Sequence, residues 1–293
     1  MTHLVLIASA CGLIAALSWG IADFFAAKAS KKISPESVAL WVSLIGVVVY
    51  TLIYPLYPGG SHWSSGGVGF GIGAGLFMGA GLLLFYRGLA AGPVSIVSPI
   101  GSAYPLVTTL IVLTLFGGTL SNLQVFGIFL VVAGIIAASG IFQTMKSQRK
   151  LTRGVLYALP TFVLWGVAFA FIGQAVSSIG WQKATFVEVW SELLIIVVAI
   201  LILRNQTEPS KLNVKLLANK FVIGTALLQL FGIIIFDVGL TITSSSAVIT
   251  AISASYPALT VFLALKHLNE EQSLVPLLGG FVTVIGVMIL SLP

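Results

Sequence analysis

Asp23, Arg87, Glu188, Glu192 and Asp237 lie inside stretches that are otherwise apolar, and these are the ones best placed to do chemistry. Glu188 and Glu192 are spaced i, i+4, so on a helix they share a face. Glu192 falls near the middle of its apolar stretch, and no basic residue stands between Lys183 and Arg204. Charged, a carboxylate in such a place is costly; neutral, it can bind a proton. That suits proton coupling or a substrate bearing an ammonium group, while a hydrogen-bonded structural Glu is the other reading. Glu188 is expected one turn nearer the surface and water, with the smaller effect. Asp23 and Arg87 each lie about four residues, so roughly 6 Å, from one end of their stretches. They could pair as an ion-pair candidate; the other reading is that Arg87 snorkels to headgroups while Asp23 sits in interfacial water. Glu192, Glu188 and Asp23 are the candidate proton-coupling groups. Asp237 stands near the far end of its stretch, where solvent exposure is expected.

Uncharged polar residues form stripes. Ser246, Thr250, Ser253 and Thr260 recur at steps of four, three and seven, which is one helical face, with Tyr256 close to it. Ser95, Ser98 and Ser102 form a similar stripe followed by Tyr104. Such stripes line a cavity or bond helix to helix. Because the pattern occurs twice, Ser98, Tyr104, Thr250, Ser253 and Tyr256 are candidate substrate contacts. Trp19, Trp41, Trp165 and Trp190 could stack on a substrate beside Glu192, whereas Trp63 and Trp181 fit an interfacial belt. Gly67, Gly71, Gly75 and Gly79 make a small-residue face that permits close helix approach, and a smooth face of this kind could also slide.

Absences narrow the chemistry. No GxxxxGK[ST] phosphate loop and no HExxH occur, and the histidines, His3, His62 and His267, stand at a terminus or in loops. The single cysteine, Cys11, permits no internal disulfide, and no Cys/His metal spacing exists. No cofactor, no metal and no catalytic constellation is expected.

The elements that must position these residues follow from composition. The 293 residues are 58% hydrophobic and only 8% charged, against roughly 25% charged in soluble domains. So few charges cannot cover a surface facing water. A spanning helix needs roughly 20 mostly apolar residues, and such runs fall at about 4–27, 35–56, 67–90, 94–116, 122–142, 154–176, 184–204, 217–240, 245–266 and 273–292. They are twice the length of barrel strands and do not alternate in polarity. The class is an all-α integral membrane protein of about ten transmembrane helices, with the first run, which lacks a basic leader, kept as a helix.

Net charge is +6, but the basic residues sit in short loops, so a membrane and not nucleic acid is the partner. With Lys28, Lys31 and Lys32 in the cytoplasm, every other Lys and Arg except Lys183 falls on that side. Both termini are then expected outside the cytoplasm of a cell (inner) membrane.

The chain also repeats itself. YRGLAAGPVSIVSPIGSAYP (86–105) lies against FDVGLTITSSSAVITAISASYP (236–257). Gly88 matches Gly239, Tyr104-Pro105 matches Tyr256-Pro257, Gly127 matches Gly279 and Gly134 matches Gly286. Upstream, Trp19-Gly20 matches Trp165-Gly166, and Trp41 matches Trp190. The halves are about 1–145 and 150–293, each of about five helices. An odd number per half inverts one half against the other, and transporters often place substrate at such an interface.

In order and double occurrence these stretches, with LQVFGIFLVVAGIIAAS and LVPLLGGFVTVIGVMIL, resemble the EamA-type members of the drug/metabolite transporter superfamily. The resemblance covers almost the whole chain. It implies two five-helix repeats and export or exchange of a small metabolite, amino acid or drug, without fixing the substrate. One departure stands out. The family's Gly-Glu-Arg-like turn before the last helix of each half is Asn269-Glu270-Glu271 in the second half, but Gly117-Gly118-Thr119, with no acid, in the first. The expected function is therefore secondary transport by alternating access, driven by proton exchange or the substrate gradient. A channel and a non-transporting membrane protein are the alternatives; neither a ring of like charge nor a filter motif is present. The residues leave a homo-oligomer open.

Overall fold

Ser34-Pro35 writes a helix start that needs no tertiary help: Ser34 Oγ accepts from the Ser37 N–H at 3.3 Å, and Pro35 enters at the first turn, where its missing N–H costs nothing. Ser64 does the same for the glycine-rich helix, accepting from the Gly67 N–H at 3.1 Å. Elsewhere, long apolar runs have to become helices, because lipid offers their backbone groups no partner. The computed structural model describes residues 2–57, 59–60, 62–115, 121–138, 153–203, 219–242, 249, 252–268, 270 and 274–290.

All regular structure among these residues is helical. The order is α1 (Thr2–Ser30), α2 (Pro35–Ile53) with a 3-10 turn at Tyr54–Leu56, α3 (Ser65–Ala91), α4 (Val94–Gly101), α5 (Tyr104–Leu115) and α6 (Asn122–Ala138). The second half contributes α7 (Arg153–Ile179), α8 (Trp181–Leu203), α9 (Lys220–Ile242), α10 (Pro257–His267) and α11 (Leu274–Leu290). Seven spans are long and apolar enough to cross a membrane, α4 and α5 counting as one, and shorter apolar helices lie at Asn122–Ala138 and Leu277–Ile289. With the α10 segment these make the ten expected spans.

The fourth span, expected to be continuous, is broken. Ser102 and Ala103 form a turn before Tyr104-Pro105, and Ala254 to Tyr256 form one before Pro257. Tight i to i+3 bonds carry both turns: the Ala103 N–H to Ile100 O at 3.2 Å in one, the Tyr256 N–H to Ser253 O at 3.2 Å in the other. Each proline has no N–H to continue the ladder, so the break falls at the same place in both halves.

The two halves pack reciprocally. α3 lies along α7 as α1 lies along α9; α5 meets α7 as α10 meets α1; α6 pairs with α11, and α2 with α8. Individual contacts repeat the exchange. Thr108 Oγ1 donates to Gly166 O at 2.9 Å, and Thr260 Oγ1 to Gly20 O at 3.1 Å. Trp165 Nε1 donates to Met78 O at 3.3 Å, and Trp19 Nε1 to Gln229 O at 3.4 Å. Gly134 packs on Thr283, and its counterpart Gly286 on Val131. This is the signature of a pseudo-two-fold axis between duplicated five-span units. Leu52, Leu194, Phe231 and Phe262 point outward from the bundle, as a lipid-facing surface requires.

Candidate functional site

The rings that the repeat duplicates meet on that axis. Trp165 packs edge-on to Tyr104 at 6.5 Å and 81°, and Trp19 edge-on to Tyr256 at 6.1 Å and 82°. Phe85 leans on Trp165 at 4.8 Å, and its counterpart Phe236 on Trp19 at 5.6 Å. Phe169 stacks on Tyr104 at 4.2 Å and 12°, with no aromatic counterpart, because its matched position is Asp23. Between the Trp and Tyr rings lies a cavity enclosing about 490 Å³ of unfilled space, mouth included.

Three carboxylates line this cavity, and among the described residues no Lys, Arg or His does. Asp23 is 4% exposed and receives one long hydrogen bond, from Ser98 Oγ at 3.5 Å. Asp237 is 2% exposed and accepts from Thr185 Oγ1 at 2.6 Å. Glu188 is 1% exposed, and its Oε2 has no hydrogen-bond partner. The expectations of water beside Glu188 and solvent at Asp237 are thus corrected: both belong to helix faces turned inward onto the axis.

Glu192 sits elsewhere. It lines a side void with Ser43 and shares only Gln229 and Ile233 with the central cavity. Ser43 Oγ donates to Glu192 Oε1. The two are repeat counterparts through Trp41 and Trp190, so they meet where α2 crosses α8.

The glycine face of α3 sets the height of this acid-bearing helix. Gly75 abuts the Glu188 carbonyl, and a Cβ at Gly79 would lie 2.7 Å from Glu192 O. Packing is what this face does in the structure.

Arg87 does not pair with Asp23. Its Nε donates to Glu36 Oε1 at 2.8 Å, because the start of α2 brings Glu36 to the end of α3 while Asp23 turns toward α4. Trp41 is buried in the core and does not line the cavity, and Trp190 is 47% exposed on the bundle exterior. Ser98 and Ser253 are buried and do not line it either. Thr250 lies outside the described residues. Of the candidate contacts, Trp19, Tyr104, Trp165 and Tyr256 do line the cavity, together with Asp23 and Glu188. Residue reading missed Gln229, Phe169 and Phe236 as lining residues. Gln229 carried a usable signal, an amide inside an apolar run.

A second cluster closes the end that carries the basic residues. Pro93, at the N-cap of α4, offers no side-chain cap. Glu270 supplies it from the other half: Oε1 accepts from the Val94 N–H at 2.8 Å, and Oε2 from the Ser95 N–H at 3.0 Å and Ser95 Oγ at 2.9 Å. Lys31 Nζ joins Glu270 Oε1 at 3.1 Å. A carboxylate on the N-terminal N–H groups of a helix is favourably placed by the helix dipole and charge-assisted bonding. The corresponding turn of the first half, Gly117-Gly118-Thr119, lies outside the described residues.

The profile of the EamA-like transporter family matches residues 6–140 and again 152–292. The chain belongs to the EamA-like transporter family. The members of this family are transporters, and the chain is accordingly a multi-pass membrane transport protein with an internal repeat. An uncharacterized protein of Methanocaldococcus jannaschii is 29% identical over 128 residues, which are 44% of this chain and 93% of the relative. A solved crystal structure is similar over 96% of this chain and 94% of its own, with a TM-score of 0.64 at 16% identity, a likeness of fold.

Proposed function

We propose that this protein is a secondary transporter that moves a small metabolite, amino acid or drug across the inner membrane by alternating access. The observation that carries the reading is the cavity on the pseudo-two-fold axis, walled in matched pairs by both halves. Rocking one half against the other about that axis would offer the same walls to either side. A channel reading finds less support, since the lining carries three acids and, among the described residues, no ring of like residues.

The tie from Glu270 to α4 and Lys31 fits a gate at the cytoplasmic end. Its release would be one half of the transport cycle. Export or exchange is the direction that the family resemblance favours. Glu192, Glu188 and Asp23 are the candidate groups for proton coupling. Among them Glu192, bonded to its own counterpart Ser43, lies where the second helices of the two halves cross.

Counterflow tests this reading. Purified protein in liposomes preloaded with an amine or amino acid from a binding screen should take up labelled external ligand transiently above equilibrium, with saturation. Linear, unsaturable flux would mean a pore.

A further inference from the structure

We propose that the central cavity is built for an organic cation: an ammonium or guanidinium group seated between Glu188 and Asp237, on a flat apolar body held between Trp19, Trp165, Tyr104 and Tyr256. The assignment deepens the transporter reading and rests on it for its physiological use, though binding alone can test it. Three observations converge. First, the charge of the lining is one-sided. Asp23, Glu188 and Asp237 face the space with no basic residue among the lining, and the ion pairs described, Arg87 with Glu36 and Lys31 with Glu270, lie at the basic end of the bundle. Among the described lining residues nothing opposes a positive charge on a bound ligand.

Second, the acids are under-bonded. An ionised carboxylate can accept about four hydrogen bonds. Asp237 has its bond from Thr185, Asp23 has the long one from Ser98, and Glu188 Oε2 has none, though the residue is 1% exposed. The Tyr256 hydroxyl is also buried without a partner. An alkylammonium brings donors and no acceptor, which matches this deficit; a carboxylate or phosphate brings more acceptors and negative charge.

Third, the walls are aromatic. Ring faces are the negative side of the aromatic quadrupole, and they attract cations most when water is excluded. Trp19, Tyr104, Trp165 and Tyr256 all line the space that the three acids line.

A charge series on one indole body tests this with the full-length protein in lipid nanodiscs. Labelled tryptamine is bound directly, and tryptophol (neutral), tryptophan (zwitterionic) and indole-3-propionate (anionic) compete. Tryptamine should bind tightest, and indole-3-propionate should be weaker by about 100-fold or more. Glu188→Gln and Asp237→Asn should each weaken tryptamine about tenfold or more, and tryptophol clearly less. The inference is overturned if tryptamine does not bind, if the anion binds as well as the cation, or if neither substitution lowers tryptamine affinity. The wild-type series stands even if a variant misfolds. Tryptamine that binds with this dependence but shows no counterflow would leave the cation site intact and sink the transporter reading; counterflow of the anion alone would do the opposite.

Discussion

At the scale of the residue, the axis separates two acids that the sequence places on one helical face. Glu188 faces the central cavity, with one oxygen unbonded, while Glu192 faces the side void against Ser43. A wide helix face turned onto a two-fold axis meets different neighbours on either side of it. Glu192→Gln should abolish pH-gradient-driven accumulation while leaving counterflow and folding largely intact, since an amide can still accept from Ser43. The two assays run on the same proteoliposomes decide it: accumulation that persists in the variant assigns Glu192 a structural role. Glu188→Gln should impair counterflow itself, which is more than its expected position near water would imply.

At the scale of the element, glycine spacing on α3 determines how near α8 can come. A methyl at Gly75 would press into the backbone at Glu188, while Gly69, on the same helix, has nothing within 4 Å of a Cβ. Gly75→Ala should therefore cost about 1–3 kcal/mol through overpacking, and Gly69→Ala should be neutral or gain up to about 1 kcal/mol from helix propensity. Thermal unfolding in detergent separates them, and equal melting temperatures would mean that α3 and α8 are not in close register. The cap on α4 makes a second test at this scale. In a Cys11→Ala background, Ser95→Cys should react slowly with an impermeant maleimide in inverted vesicles, because Ser95 is 1% exposed beneath Glu270. Adding Glu270→Ala should raise the rate several-fold; an unchanged rate would show that Glu270 does not hold this end shut.

At the scale of the whole molecule, the basic residues place one end of the bundle. Lys28, Lys31, Lys32, Arg87 and Lys266 gather there, with Glu36 and Glu270 answering them. If that end is cytoplasmic, a C-terminal alkaline phosphatase fusion should be active and a fluorescent-protein fusion dark. The reverse pair of results would invert the orientation and move the Glu270 tie to the outer side.

The ten spans and the duplication were legible in the residues, while the break before Tyr104-Pro105 and Tyr256-Pro257 was not, since both stretches read as continuous apolar runs. Lipid forces the first, matched motifs record the second, and a missing proline N–H, twice in the same place, makes the third. Half of the site was legible for the same reason: Trp19, Trp165, Tyr104 and Tyr256 lie on the axis because residues duplicated near an inverted-repeat interface meet their counterparts there. Which side of a helix faces that axis could not be read from runs apolar all round. Only the packing of α3 on α8, of α1 on α9 and of α2 on α3 turned Glu188 and Asp237 inward, left Trp190 outside, and gave Arg87 to Glu36 instead of Asp23. Apolar periodicity distinguishes buried from exposed faces only where water is the solvent; in a bilayer both faces are apolar, and tertiary contact decides.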